Sequence, residues 1–166
     1  MFVRKVLFGA AVAGVALAGA PGAALADGVP HDFRIIKLGA NPGTVIATGP
    51  LYGAGVETNT RHQVPLGQPF DVTFSFAHGD LYLDAIPGPP QVDSDPVSCV
   101  TRIRLIVRNV VTGGTGAYAG ATGTGSGVSN ITQIRGRDAD GSCLPLSSPP
   151  SFELANVRAT EFLTLP

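Results

Sequence analysis

The chain has 166 residues, with 22 Gly, 14 Pro, no Trp and two Cys, and a formal charge of −1. At roughly 150 residues per domain this is one domain. Charged residues make up 14% and hydrophobic ones 44%, which disfavours helix bundles, coiled coils and polybasic surfaces; a charge so near zero gives no electrostatic footprint for nucleic acid.

Arg4 and Lys5 precede an apolar run over 6–20, and Ala24-Leu25-Ala26 precedes Asp27. A positive start, a short apolar core and an Ala-x-Ala site together describe a secretory signal peptide. The expected organisation is therefore a signal peptide at 1–26 and a single β domain at 27–166, secreted or extracytoplasmic. The run is shorter than the roughly 20 apolar residues that span a bilayer, and no second one follows, so no membrane span is expected after cleavage. Of the basic residues that remain, only Lys37 is a lysine.

From there the chain reads as β throughout. Strands are expected over 31–38, 44–48 and 56–64. Phe70, Val72, Phe74 and Phe76 then alternate with Asp71, Thr73 and Ser75, a strict period of two that buries one face. His78-Gly79-Asp80 breaks this pattern before Leu81, Leu83 and Ala85 resume it, as in a hairpin. Asp93-Ser94-Asp95-Pro96 reads as a turn. The clearest strand is 98–111, with Cys99, Thr101, Ile103, Leu105, Val107, Asn109 and Val111 on one face. Arg102, Arg104 and Arg108 lie on the other, which is expected to be solvated. Further strands are expected over 122–135 and 152–165. Separators such as Asn41-Pro42-Gly43 and Pro87-Gly88-Pro89-Pro90 carry turn chemistry. Many short strands with Gly/Pro turns in one domain mean a barrel or, alternatively, a sandwich.

Cys99 and Cys143 are the only thiols, and in an exported chain they are expected to form one structural disulfide. A redox pair would more naturally be Cys-x-x-Cys. No His or further Cys completes a zinc set with them. His31, His62 and His78 show no ligand spacing, and no metal or cofactor is expected. Asp138-Ala139-Asp140-Gly141-Ser142 opens like a calcium loop, but position 149 is Pro where a closing Glu is needed, so it reads as a polar turn.

The distinctive segment runs from Thr112 to Gly125 and contains Gly113, Gly114, Gly116, Tyr118, Gly120 and Gly123. A phosphate-binding loop must open a helix, whereas this one enters Thr/Ser/Gly-rich residues of poor helix propensity. It reads as a tight strand connection and a curved strand, with Tyr118 covering glycine backbone. Gly125-Ser126-Gly127 is no nucleophile elbow, because no helix follows it.

Gly113-Gly114-Thr115-Gly116, the aromatic Tyr118, then Ala119-Gly120-Ala121-Thr122-Gly123 resemble the allene oxide cyclase-like barrel superfamily. That group includes plant allene oxide cyclases, dirigent proteins and secreted bacterial proteins. The close match covers about 110–127, and the strand order is compatible over about 70–135. The resemblance implies an eight-stranded antiparallel barrel, often with a small-ligand cavity. The motif belongs to the scaffold, and no catalytic residue is carried over with it.

The expected function is a non-catalytic secreted barrel that binds a small apolar ligand or presents an interaction surface. Thr101 and Asn109, polar positions on an apolar face, are the cavity candidates. The alternative is an isomerase/cyclase-like or dirigent-like enzyme on a small hydrophobic substrate, with Glu57 and Asn59 as catalytic candidates. It requires Glu57 to face the lumen beside an amide. No pattern sets an oligomeric state.

Overall fold

The computed structural model describes residues 28–166, and the expected signal peptide lies outside them. Five strands come first: β1 (Val29–Leu38), β2 (Gly43–Thr48), β3 (Gly53–Asn59), β4 (Phe70–Phe76) and β5 (Gly79–Pro87). Four follow: β6 (Gln91–Asp95), β7 (Val100–Gly114), β8 (Thr122–Ile134) and β9 (Phe152–Thr164). Every pairing is antiparallel, β9 returns to β1, and β5 pairs with β7. The result is a closed eight-stranded barrel with β6 outside the ring. Closure leaves the ring without free edges, and the sandwich alternative is excluded.

The alternation read from the sequence sets the inner face. In β7, Thr101, Ile103, Leu105, Val107 and Val111 are buried while Arg102, Arg104 and Arg108 are exposed. Sequence reading placed two elements differently. The expected strand 56–64 is β3, which begins at Gly53 and stops at Asn59, before a 3₁₀ turn at Arg61–Gln63. Thr60 ends it: its backbone N–H reaches the Asp71 carbonyl, and its hydroxyl accepts the Asp71 N–H. The expected turn 93–96 is instead mostly β6. β7 is 15 residues long and β5 covers only its second half, so its first half needs another partner, which Gln91–Asp95 supplies.

One end of the barrel is filled. Phe33 stacks on Phe74 at 5.3 Å, and Phe76 meets Tyr118 edge-on at 6.0 Å. Tyr118 sits in the connection between β7 and β8, close against Gly114 and with its ring in this cluster. At Gly116, φ is 55° and an added Cβ would lie 2.3 Å from the His78 carbonyl oxygen. Only glycine fits that approach. The opposite end gathers the β1–β2 turn, the loop 60–69 and the loop 136–151. The disulfide Cys99–Cys143 pins the last of these with a Cα separation of 5.4 Å. Cys99 lies just before β7 with φ 56°, so it anchors the loop rather than extending the strand. Asp138 to Ser142 form a turn closed between the Asp138 N–H and the Ser142 carbonyl.

Candidate functional site

The lumen holds a cavity of about 80 Å³ that opens toward the disulfide-bearing end. Phe70, Val72, Leu83, Leu105 and Val107 form much of its wall, and Lys37, Glu57, Asn59, Arg61, His62 and Glu153 surround its mouth. Period-two alternation brings these groups inward: β1 turns His31, Phe33, Ile35 and Lys37 to the interior, and β9 does the same with Glu153 and Glu161.

Three polar arrangements cross the barrel wall. In the first, Lys37 Nζ donates to Glu57 Oε2 at 3.3 Å, with both residues buried. Glu57 sits directly across from Gly43, where an added Cβ would fall 2.8 Å from Glu57 Oε2 and 3.2 Å from Lys37 Cβ. A side chain at that position would separate the pair; glycine lets the ammonium and carboxylate meet over it. Asn59 Nδ2 donates to the other oxygen, Glu57 Oε1, and Asn59 Oδ1 accepts the Arg61 backbone N–H at 3.2 Å.

The second arrangement holds the loops. Glu153 Oε2 accepts from Gln133 Nε2 at 2.5 Å, and Glu153 Oε1 lies 3.3 Å from His62 Nε2. The same ring nitrogen is 3.2 Å from the Gly39 carbonyl oxygen, which ties the 3₁₀ turn to the β1–β2 turn. Arg135 donates to Gln133 Oε1 and to the carbonyls of Pro145 and Ser148, so the loop 136–151 hangs from the same network.

The third lies deeper. Asn109 Nδ2 donates to Glu161 Oε1 at 2.5 Å. Between them on β8 lies Gly125, paired to both residues, where a Cβ would fall 2.0 Å from Glu161 Oε2. Again a glycine clears the path between two polar side chains. Glu161 Oε2 has no partner among the described residues. Burial raises the Glu161 pKa to about 7, against the opposing pull of the Asn109 hydrogen bond. His31, opposite Glu161 on β1, accepts the Leu51 N–H at Nδ1, and burial lowers its pKa. It is therefore neutral, with the proton on Nε2, where no acceptor lies among the described residues.

Of the residues singled out from sequence, Glu57 and Asn59 sit side by side at the mouth, and Asn109 lines the cavity. Thr101 faces inward but does not line it; its hydroxyl pairs with that of Ser94 on β6 at 3.1 Å. The glycines at 113, 114, 116, 120 and 123 shape the filled end and the start of β8. Sequence reading did not select Lys37, Arg61, His62, Glu153 or Glu161. The alternation of β1 and β9 carried a signal for Lys37, Glu153 and Glu161, because each falls in phase with core residues of its own strand.

Comparison with models of known families, with curated proteins and with solved structures produced no match. The functional reading therefore rests on the geometry of the site.

Proposed function

We propose that this chain is a secreted binding module, a barrel of the allene oxide cyclase-like kind, that holds a small molecule with an apolar body in its lumen. The observation that carries the reading is the apolar cavity of about 80 Å³ beneath a polar mouth. Its volume is about half of the roughly 150 Å³ of an apolar cavity that accepts benzene, which limits the enclosed part of the guest to a few carbon atoms. The wall residues come from adjacent, hydrogen-bonded strands, so the cavity is preformed and binding requires little ordering of the wall. Glu57 supports binding over catalysis, because both its oxygens already accept hydrogen bonds.

Xenon and 1-butanol test this reading. Saturable NMR shifts centred on Leu105, Val107 and Ser129, lost when Val107→Phe fills the lumen, are expected. Unsaturable or scattered shifts would reject lumen binding.

One observation favours a second reading, an isomerase- or cyclase-like enzyme: Glu57 faces the lumen beside the Asn59 amide. Such a site would exchange protons with its substrate. Deuterium uptake from D₂O into a small β,γ-unsaturated ketone, abolished by Glu57→Gln, is the expected sign. Uptake no faster than in buffer would end that reading.

A further inference from the structure

We infer that the guest is a short carboxylic acid, bound with its carboxylate against Arg61 and Lys37 at the barrel mouth. This rests on the lumen-binding reading and adds the chemistry of the head group.

The inference follows from which donors and acceptors at the mouth are already used. Both oxygens of Glu57 are taken, by Lys37 and Asn59. Glu153 Oε2 accepts from Gln133, and Glu153 Oε1 lies 3.3 Å from His62 Nε2. The Asn59 carbonyl oxygen receives the Arg61 backbone N–H. Each of these acceptors therefore has a polar partner beside it. The donors are not used up in the same way. The Arg61 guanidinium makes no hydrogen bond or ion pair with a described residue, although it lines the cavity. Lys37 Nζ has one partner, Glu57, which leaves two of its three N–H groups unused.

A mouth with spare donors and engaged acceptors favours a head group that accepts and does not donate. Among small organic groups the ionised carboxylate fits best. It has two oxygens and no proton, and it matches the planar guanidinium fork in a bidentate pair. An alcohol fills fewer of the spare donors and brings a donor of its own, which must share a carboxylate oxygen that already has a partner. An amine adds a third cation beside Arg61 and Lys37. The charges agree: Glu57 and Glu153 balance Lys37 and Arg61, but Glu57 is bonded to Lys37 and Glu153 to Gln133 with His62 at 3.3 Å, leaving the Arg61 guanidinium without a bonded anion among the described residues. Below the mouth the wall down to Asn109 is apolar except for Ser129, so the remainder of the guest is a short, mainly hydrocarbon chain. The cavity volume limits that chain to roughly three to five carbons by comparison with the benzene-sized cavity.

Isothermal titration of the disulfide-bonded protein with acetate through hexanoate, with 1-butanol, and with butylamine tests the inference. Affinity should peak at roughly four or five carbons, with butanoate about tenfold tighter than 1-butanol because both hydrogen-bonding partners are charged. In Arg61→Gln, butanoate should fall to within about threefold of 1-butanol, while the circular dichroism spectrum stays as in the parent; the Arg61 side chain has no partner among the described residues whose loss would disturb the fold. Alcohol binding as tight as that of the acid, or an acid preference that survives Arg61→Gln, would overturn the head-group assignment and leave lumen binding standing. If acid, alcohol and xenon all fail to bind, lumen binding itself falls, and the assignment with it.

Discussion

Glu161→Gln probes the deepest polar group of the barrel. Glu161 is 1% exposed, and burial lifts its pKa from the usual 4.5 to about 7. Each tenfold change in proton affinity corresponds to about 1.4 kcal/mol, so the difference is worth about 3 kcal/mol. The direction follows from which state holds the proton. Below about pH 4.5 the folded and unfolded chains are both protonated, and the stabilisation is fully present. As pH rises toward 7 the unfolded chain releases its proton while the folded chain retains it, so stability falls; above about pH 7 both are ionised and the loss is complete. Gln cannot ionise. Its carbonyl still accepts from Asn109, but its amide N–H₂ takes the place of Glu161 Oε2, where no partner lies among the described residues, at a pH-independent cost of about 1–3 kcal/mol. The neutral carboxyl of the parent leaves Oε2 without a partner as well, so the two should be similar in stability near pH 4.5, and the parent should lose about 3 kcal/mol relative to the variant by about pH 8.5. Urea unfolding followed by circular dichroism, disulfide intact, measures this, and taking the parent–variant difference cancels other titrating groups. A gap constant across that range would refute the argument: the carboxyl would then titrate as if in water, and the Asn109–Gly125–Glu161 row would not exist as described.

Lys37→Met should cost about 3–5 kcal/mol by leaving Glu57 buried without its cation, and the double variant Lys37→Met/Glu57→Leu should recover most of the loss in the same unfolding assay. Gly125→Ala, whose methyl would sit 2.0 Å from Glu161 Oε2 and 2.3 Å from the Thr160 carbonyl, should destabilise by about 3 kcal/mol or more; a thermal melt unchanged from the parent would contradict it. Replacing both cysteines by Ser should cost about 4 kcal/mol for a loop with a sequence separation of 44. Hydrogen exchange should then speed up first in 136–151, with β1 and β9 still protected.

The alternation in 70–76 and 98–111 made a sheet with one buried face legible, and the glycine-rich segment fitted a tight β connection. Those features act between near neighbours in the chain, and a period of two needs no knowledge of the partner strand. The outside strand β6 was not legible. Nothing in Gln91-Val92-Asp93-Ser94-Asp95 marks it, and its five residues are all exposed. It is a strand because β7 outruns β5 and leaves half an edge to be paired, a fact about the closed barrel. The site divides similarly. Glu57 and Asn59 stood out as an acid beside an amide two residues away, and Asn109 as a polar residue on an apolar face. Arg61 and His62 did not, because they were read as part of a strand that in fact ends at Asn59.

The sequence by itself determined which side of the longer alternating strands turns inward and which two sulfurs join, since these follow from local periodicity and from there being only two cysteines. Which strands become neighbours was decided by tertiary structure, and with that which polar side chains meet. Lys37 reaches Glu57 and Asn109 reaches Glu161 because the pairing of neighbouring strands places Gly43 and Gly125 between them. No spacing in the chain encodes those encounters: in each, the glycine and the two side chains come from three different strands, and only the register of their pairing brings them level.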